Sequence, residues 1–200
     1  MNIDTLREFV DNYVDFTFTT AKYPTAHTMP YLSLGLSEEV AEVFMKAYQL
    51  LPSSFHDSSR ADRVVACKKE FGDVYWYAGQ FCDRVLKDSL SHYLKRIYEV
   101  IKQEPATEVD VGVLVGYQRR AQDILGTLHG LVKKAIRDND GVFDHNKHVL
   151  AEVAFIDLMT LVVRTQMYLG FNLFEVLEIN REKLTSRKER NVIGGSGDNR

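Results

Sequence analysis

Apolar residues recur every three or four positions along almost the whole chain, and strand-like alternation of apolar and polar residues is weak. This spacing is typical of amphipathic α-helices, because residues three and four apart share one helix face. The pattern therefore predicts an all-α protein. Helices are expected over residues 3–20, 30–50, 60–87, 89–103, 108–137, 147–169 and 172–188.

The segments between the predicted helices are polar and rich in turn-forming residues, such as "LPSSFHDSSR" after the second helix. A faint internal repeat accompanies this order. Phe71 and Asp73 sit in one long apolar helix, and Phe155 and Asp157 sit in the same way about 84 residues later. Two similar helical hairpins would pack as a pseudo-symmetric bundle, although chance similarity between two amphipathic helices gives the same pattern.

Composition limits the class of protein. Two hundred residues with 45% apolar content suffice for one compact domain or two small units built alike. The formal charge of −3 argues against a nucleic-acid partner, because such proteins usually carry a net basic face. "MNIDTLREFV" lacks the order of a signal peptide, and no apolar run approaches the roughly 20 residues that span a bilayer. With two cysteines, Cys67 and Cys82, we expect a cytoplasmic protein with free thiols and no membrane partner.

The most informative polar positions are carboxylates on the second and third predicted helices. Glu39 and Glu42 are three residues apart, so they share a helix face, and Glu70 and Asp73 are spaced in the same way. Each pair borders an apolar stripe, and the polar loop between the two helices allows them to pack antiparallel. Four carboxylates would then meet from two facing helices.

Carboxylates gathered inside a helical bundle repel one another, so either their pKa values rise or a cation neutralises them. Carboxylate oxygens without His or Cys nearby favour a hard ion, Mg²⁺ or Mn²⁺. Because Mg²⁺ is commonly held by a few carboxylates together with substrate phosphates, the pattern points to a phosphorylated substrate. The competing interpretation is that each pair is only a solvated face of its helix.

The combination of "EEVAE" at 38–42 and "EFGD" at 70–73 resembles the MazG-like all-α nucleoside triphosphate pyrophosphohydrolases. The upstream "TTAKYP" and the closing "LGFNLFEVLEINREKLTSRKERNVIGGSGDNR" are similar to segments of the same family. That family is usually about half as long as this chain. The resemblance therefore implies a helical bundle with a catalytic half at 1–104, a degenerate half at 105–190 and a flexible glycine-rich tail at 191–200.

The second half resembles the first but lacks most of its acidic residues. The metal positions of the family fall there on Ile124, Thr127, Ala154 and Asp157, so only Asp157 keeps a carboxylate. The resemblance implies that this degenerate half forms a wall of the nucleotide pocket. Such a duplicated chain is expected to act as a pseudo-dimeric monomer or as a homodimer.

The resemblance also implies a reaction, the hydrolysis of a nucleoside triphosphate between its α and β phosphates. The products are a nucleoside monophosphate and pyrophosphate, and the dUTPase and dCTPase relatives favour a dNTP as substrate. Glu39, Glu42, Glu70 and Asp73 would hold Mg²⁺. Glu38 is the candidate general base, with a solvent-facing position as the alternative, because it lies about 100° from Glu39 around the helix.

Five further residues are candidates for contact with the nucleotide, each with a structural alternative. Lys46 and Lys69 would reach a phosphate, or else are surface lysines. His27 would contact the base. Trp76 would do the same, and Tyr77 resembles a family position near the substrate, but core aromatic residues fit both positions as well.

The end of the last predicted helix completes the set of candidates. Asn180, Lys183 and Arg187 would help to bind phosphates, and the glycine-rich tail would close over the nucleotide. The helix dipole gives a sufficient alternative reason for cations at this end. The rival to an enzyme is a catalytically silent helical protein that binds or senses nucleotides or serves in assembly.

Overall fold

The structure is a computed structural model, and it describes residues 3–51, 58–102 and 110–193. Within these ranges the regular elements are helices and no β-strand is present, so the predicted all-α class is confirmed. None of the described helices has the length and apolar character needed to cross a membrane. The α-helices are Ile3–Phe18 (α1), Thr28–Tyr48 (α2), Arg60–Phe81 (α3), Leu90–Ile101 (α4), Val111–Asp138 (α5), His145–Tyr168 (α6) and Leu173–Glu189 (α7).

Capping side chains fix where the last five helices begin. Ser59, Ser89, Asp110, Asp144 and Asn172 each accept a hydrogen bond from a backbone N–H in the first turn of the helix that follows. These bonds satisfy backbone N–H groups that have no acceptor within the helix. Because caps are local features, the predicted starts of these helices lie within three residues of the observed ones.

The third helix ends earlier than the apolar pattern predicts. The sequence predicts a helix to residue 87, whereas α3 ends at Phe81 and continues as one π-helical turn, Cys82–Leu86. Lys87 then adopts a left-handed conformation with φ of 57°, which stops the helix. The second helix also differs: it begins at Thr28, and Pro30 lies in its first turn, where a proline costs no helical hydrogen bond.

Two long helical hairpins form the centre of the molecule. α2 packs on α3, α5 packs on α6, and the hairpins contact each other through α2 and α5. α7 packs on α3, and α4 packs on α1 and α6. One hydrophobic cluster draws residues from all seven helices, and it includes the free thiols of Cys67 and Cys82. As a result, α7 lies against the helix that carries Glu70 and Asp73.

Two glycines allow α3 to approach its neighbours α2 and α7 closely. A Cβ at Gly35 on α2 would lie 2.1 Å from Cε1 of Tyr77 on α3. A Cβ at Gly72 on α3 would lie 2.6 Å from Cβ of Asn180 on α7. Both distances are too short for non-bonded carbon atoms. A residue without a side chain is therefore needed where α3 meets α2 and where it meets α7.

Gly35→Ala is expected to destabilise the protein by about 2 kcal/mol, because the added methyl group overlaps the Tyr77 ring and forces α2 away from α3. Gly130→Ala on α5 is the matched control, since no atom outside its own helix lies within 4 Å of an added Cβ there. The control should gain about 0.5–1 kcal/mol from the higher helix propensity of alanine. Denaturant unfolding followed by circular dichroism checks both values, and equal effects would contradict the close packing at Gly35.

Candidate metal centre

Three carboxylates converge where α2 faces α3. Glu39 on α2 and Glu70 and Asp73 on α3 each place one carboxylate oxygen within 4.8 Å of the other two. The side chain of Glu70 is only 4% exposed and that of Asp73 is 18% exposed. The structure thus brings together three of the four carboxylates that the sequence predicts as metal ligands.

The antiparallel register of α2 and α3 produces this convergence. At one end of the contact the Tyr77 ring lies against Gly35. At the other end the Nζ atom of Lys46 lies 4.0 Å from Oε1 of Glu70. Glu39 follows Gly35 by one turn, so its side chain lies between these two contacts and faces α3.

Helix α7 supplies the partners of Asp73. Nδ2 of Asn180 donates a 2.6 Å hydrogen bond to Oδ1 of Asp73, and the Lys183 ammonium group pairs with Oδ2. Asn180 is held in turn by the Tyr13 hydroxyl, which donates to its Oδ1 at 2.7 Å. Asn180 and Tyr13 are fully buried, and the Lys183 side chain is 8% exposed. The orientation of Asp73 is therefore fixed by a buried network rather than left to solvent.

The charge of the cluster has its largest effect on Glu39. Burial, together with the negative charges of Asp73, Glu42 and Glu70, raises the pKa of Glu39 to about 9, against a smaller lowering by Lys183. The surroundings therefore favour the protonated form of the Glu39 carboxyl. A cation among these oxygens would oppose that shift. A donor set made of carboxylate oxygens fits Mg²⁺ or Mn²⁺.

The two remaining acidic candidates lie outside the three-carboxylate cluster. Glu42 follows Glu39 by one helical turn, is partly buried and acts electrostatically on Glu39, so it borders the cluster. Glu38 is exposed on the neighbouring face of α2. The position of Glu38 fits the solvent-facing alternative, and its role as general base stays a prediction.

The predicted nucleotide-binding residues have different surroundings. Trp76 belongs to the core, where its Nε1 donates a 3.0 Å hydrogen bond to Oγ1 of Thr20. His27 is exposed in a short 3₁₀ turn before α2, Lys69 is partly buried on α3, and Arg187 is buried on α7. The predicted closing of the tail falls on residues 194–200, which lie outside the described residues.

Tyr31, which is not among the residues predicted from the sequence, lies near the cluster beside Tyr77. The ring of Tyr31 stacks on that of Tyr23 with centroids 4.9 Å apart, and its hydroxyl lies 3.5 Å from that of Tyr77. Tyr31 is 39% exposed, so its ring is accessible from solvent. Tyr31, Gly35 and Glu39 are spaced by four residues, and this spacing alone places Tyr31 on the helix face that carries Glu39.

Tyr13→Phe is expected to destabilise the protein by about 1–2 kcal/mol, because it removes the hydroxyl that donates to the buried Oδ1 of Asn180. Tyr31→Phe removes an accessible hydroxyl and should change stability by less than about 0.5 kcal/mol. Thermal unfolding of the two variants provides the comparison. A similar loss in both would mean that the Tyr13 hydrogen bond does not support α7.

Comparisons with known proteins leave the family open. No protein-family model matches the chain, and no solved structure matches it. The chain is 40% identical over 75 residues to the "Gene 37 protein" of Mycobacterium phage L5. The matched segment is 38% of this chain and 66% of that protein, so the chain spans slightly less than two thirds of its relative. The name of the relative states no activity, and the function must be argued from the site.

Proposed function

We propose that the protein is a Mg²⁺-dependent nucleoside triphosphate pyrophosphohydrolase that cleaves its substrate, preferably a dNTP, between the α and β phosphates. The convergence of Glu39, Glu70 and Asp73 carries this proposal. Two lysines, Lys46 and Lys183, lie at the edge of the same cluster. Carboxylates for a cation beside ammonium groups for phosphates are the combination that a triphosphate requires. The resemblance of the acidic motif to the MazG-like family supports the same reaction.

Each group has a separate task in this proposal. Glu39, Glu70 and Asp73 would hold Mg²⁺, with Glu42 beside them, and the ion would supply polarisation of the phosphate oxygens. The ammonium groups of Lys46 and Lys183 would turn from the carboxylates toward the phosphates, and so offset negative charge there.

The base of the nucleotide has a proposed contact surface of its own. Tyr31 and Tyr77 lie on the side of Glu39 that is opposite Lys46, and the exposed ring of Tyr31 can stack on a base. The base and the phosphates would then lie at opposite ends of one face of α2. Glu38 remains the proposed general base, since its carboxylate is exposed and next to Glu39 in the chain.

We also propose that the chain is a duplicated MazG-like unit. The hairpins α2–α3 and α5–α6 pack against each other, α7 crosses to α3, and α4 crosses to α6, which is the exchange expected of a pseudo-two-fold repeat. In this arrangement residues 1–104 carry the acidic motif and 105–190 form the degenerate half, which completes the site with Asn180 and Lys183. A single chain would then act as a pseudo-dimer, and a homodimer is the alternative.

An assay of the purified protein against a panel of NTPs and dNTPs tests this function. Pyrophosphate and orthophosphate are measured separately, with Mg²⁺ and with EDTA. We expect Mg²⁺-dependent release of pyrophosphate and a nucleoside monophosphate. Release of orthophosphate would contradict cleavage at the α–β bond. Nucleotide binding without turnover would favour a sensor, and neither binding nor turnover would favour an assembly protein.

A further inference from the structure

A cavity lies between α4, α5 and α6, away from the acidic cluster. It has a volume of about 370 Å³ and is lined by three arginines, each from a different helix: Arg96 on α4, Arg120 on α5 and Arg164 on α6. Asp157 and Thr160 on α6 also line it. We call this cavity the arginine pocket. Three guanidinium groups and one carboxylate thus line the same cavity.

The proposed duplication relates the arginine pocket to the acidic cluster. Asp157 follows Asp73 by about 84 residues, and Asn180 follows Arg96 by the same interval. α4 packs on α6 as α7 packs on α3. Arg96 therefore occupies in the second hairpin the position from which Asn180 binds Asp73 in the first. The first hairpin thus carries carboxylates at this position of the bundle. At the equivalent position, the second hairpin is surrounded by guanidinium groups.

We propose that the arginine pocket binds the phosphate chain of a small anionic ligand, such as pyrophosphate or a nucleotide, without a divalent metal. Guanidinium groups present paired donors that match two phosphate oxygens at once, and they keep their charge at all physiological pH values. Several guanidinium groups around one concave site favour a multiply charged anion. The volume lies in the range of small-molecule sites and is too small for the backbone of a folded partner.

The described contacts indicate which groups meet the ligand. The Thr160 hydroxyl already donates to the backbone carbonyl of Ile156 at 2.8 Å, so the arginines are the principal donors. Arg96 and Arg120 are exposed, and Arg164 is partly buried. The two exposed arginines therefore form the entrance of the pocket, and Arg164 lies deeper.

Calorimetric titration of the intact chain with inorganic pyrophosphate, in the presence of EDTA, tests this site. Chelation keeps the acidic cluster without metal, so the result does not depend on hydrolysis. Arg96→Gln and Arg120→Gln, alone and combined, replace exposed side chains and should leave the fold intact. We expect the combined variant to weaken pyrophosphate binding at least about tenfold, since two sets of charge-assisted hydrogen bonds to phosphate oxygens are lost.

Two control variants distinguish pyrophosphate binding in the arginine pocket from a general effect of charge and from binding at the proposed catalytic site. Arg119→Gln removes an exposed arginine next to Arg120 that does not line the pocket, and it should leave binding unchanged. Asp73→Asn, which is designed to abolish the proposed activity, should also leave binding unchanged. Loss of activity with intact pyrophosphate binding would then separate the two proposals.

Three results would overturn the arginine pocket as a phosphate site. The first is no binding of pyrophosphate or of a dNTP with EDTA present. The second is equal weakening by Arg119→Gln and Arg120→Gln, which would mean a general effect of charge. The third is preferential, arginine-dependent binding of a single-stranded oligonucleotide, which would make nucleic acid the ligand. A dNTP that binds more tightly than pyrophosphate supports the site and shows that the base contributes.

Discussion

Asp73→Asn is expected to lower the rate of pyrophosphate release by about a thousandfold, while the protein stays folded. The substitution keeps the size of the side chain but removes a charged ligand from the centre of the cluster. It also removes the carboxylate that pairs with the Lys183 ammonium group. Steady-state release of pyrophosphate at saturating Mg²⁺ measures the effect.

Glu178→Gln is the matched control for this prediction. Glu178 also lies on α7, where its carboxylate is 3.6 Å from Nε of Arg181, but its side chain is 46% exposed and outside the cluster. The control should retain the rate of the unmodified protein. An Asp73→Asn protein that is folded by circular dichroism and fully active would refute the role of the cluster.

The apparent affinity for Mg²⁺ is expected to rise about fiftyfold between pH 7 and pH 9. The pKa of Glu39 is raised to about 9, so below that pH a proton competes with the ion for this carboxylate. Each unit of pH below the pKa then weakens binding by up to about tenfold, and above pH 9 the affinity should level off. Binding at pH 7 should release about one proton.

Calorimetry in buffers with different ionisation enthalpies measures that released proton directly. Glu39→Gln is the informative variant, because it removes the titrating group while the rest of the cluster remains. This variant should bind Mg²⁺ more weakly but with little dependence on pH between 7 and 9. An unmodified protein with constant affinity over that range, and no proton release, would mean that Glu39 is already ionised.

The helices could be predicted from sequence because the signals that form them are local. Apolar residues that recur every three or four positions identify each helix face, and polar segments rich in turn-forming residues separate the helices. The end of α3 could not be predicted, since the residues of the π turn continue the helical pattern. The π turn then stops at Lys87, which adopts a left-handed conformation.

The candidate site, like the helices, could be predicted only in part from the sequence. Spacing along α2 and α3 was enough to select Glu39, Glu70 and Asp73 as neighbours. By contrast, the bond from Asn180 to Asp73 spans 107 residues and that from Tyr13 to Asn180 spans 167, and no local pattern encodes such contacts. The resemblance to the MazG-like family brought Asn180 and Lys183 into the candidate site, but the Tyr13 hydroxyl became visible only with the fold.

Anomalous scattering from crystals grown with Mn²⁺ tests the metal centre most directly, because it locates the ion without reference to activity. We predict a peak between α2 and α3, about 2.1 Å from carboxylate oxygens of Glu39, Glu70 and Asp73. The Lys183 ammonium group should then have left Asp73. Crystals with saturating Mn²⁺ that show no peak among these three carboxylates, and an intact pair between Lys183 and Asp73, would contradict the proposed site.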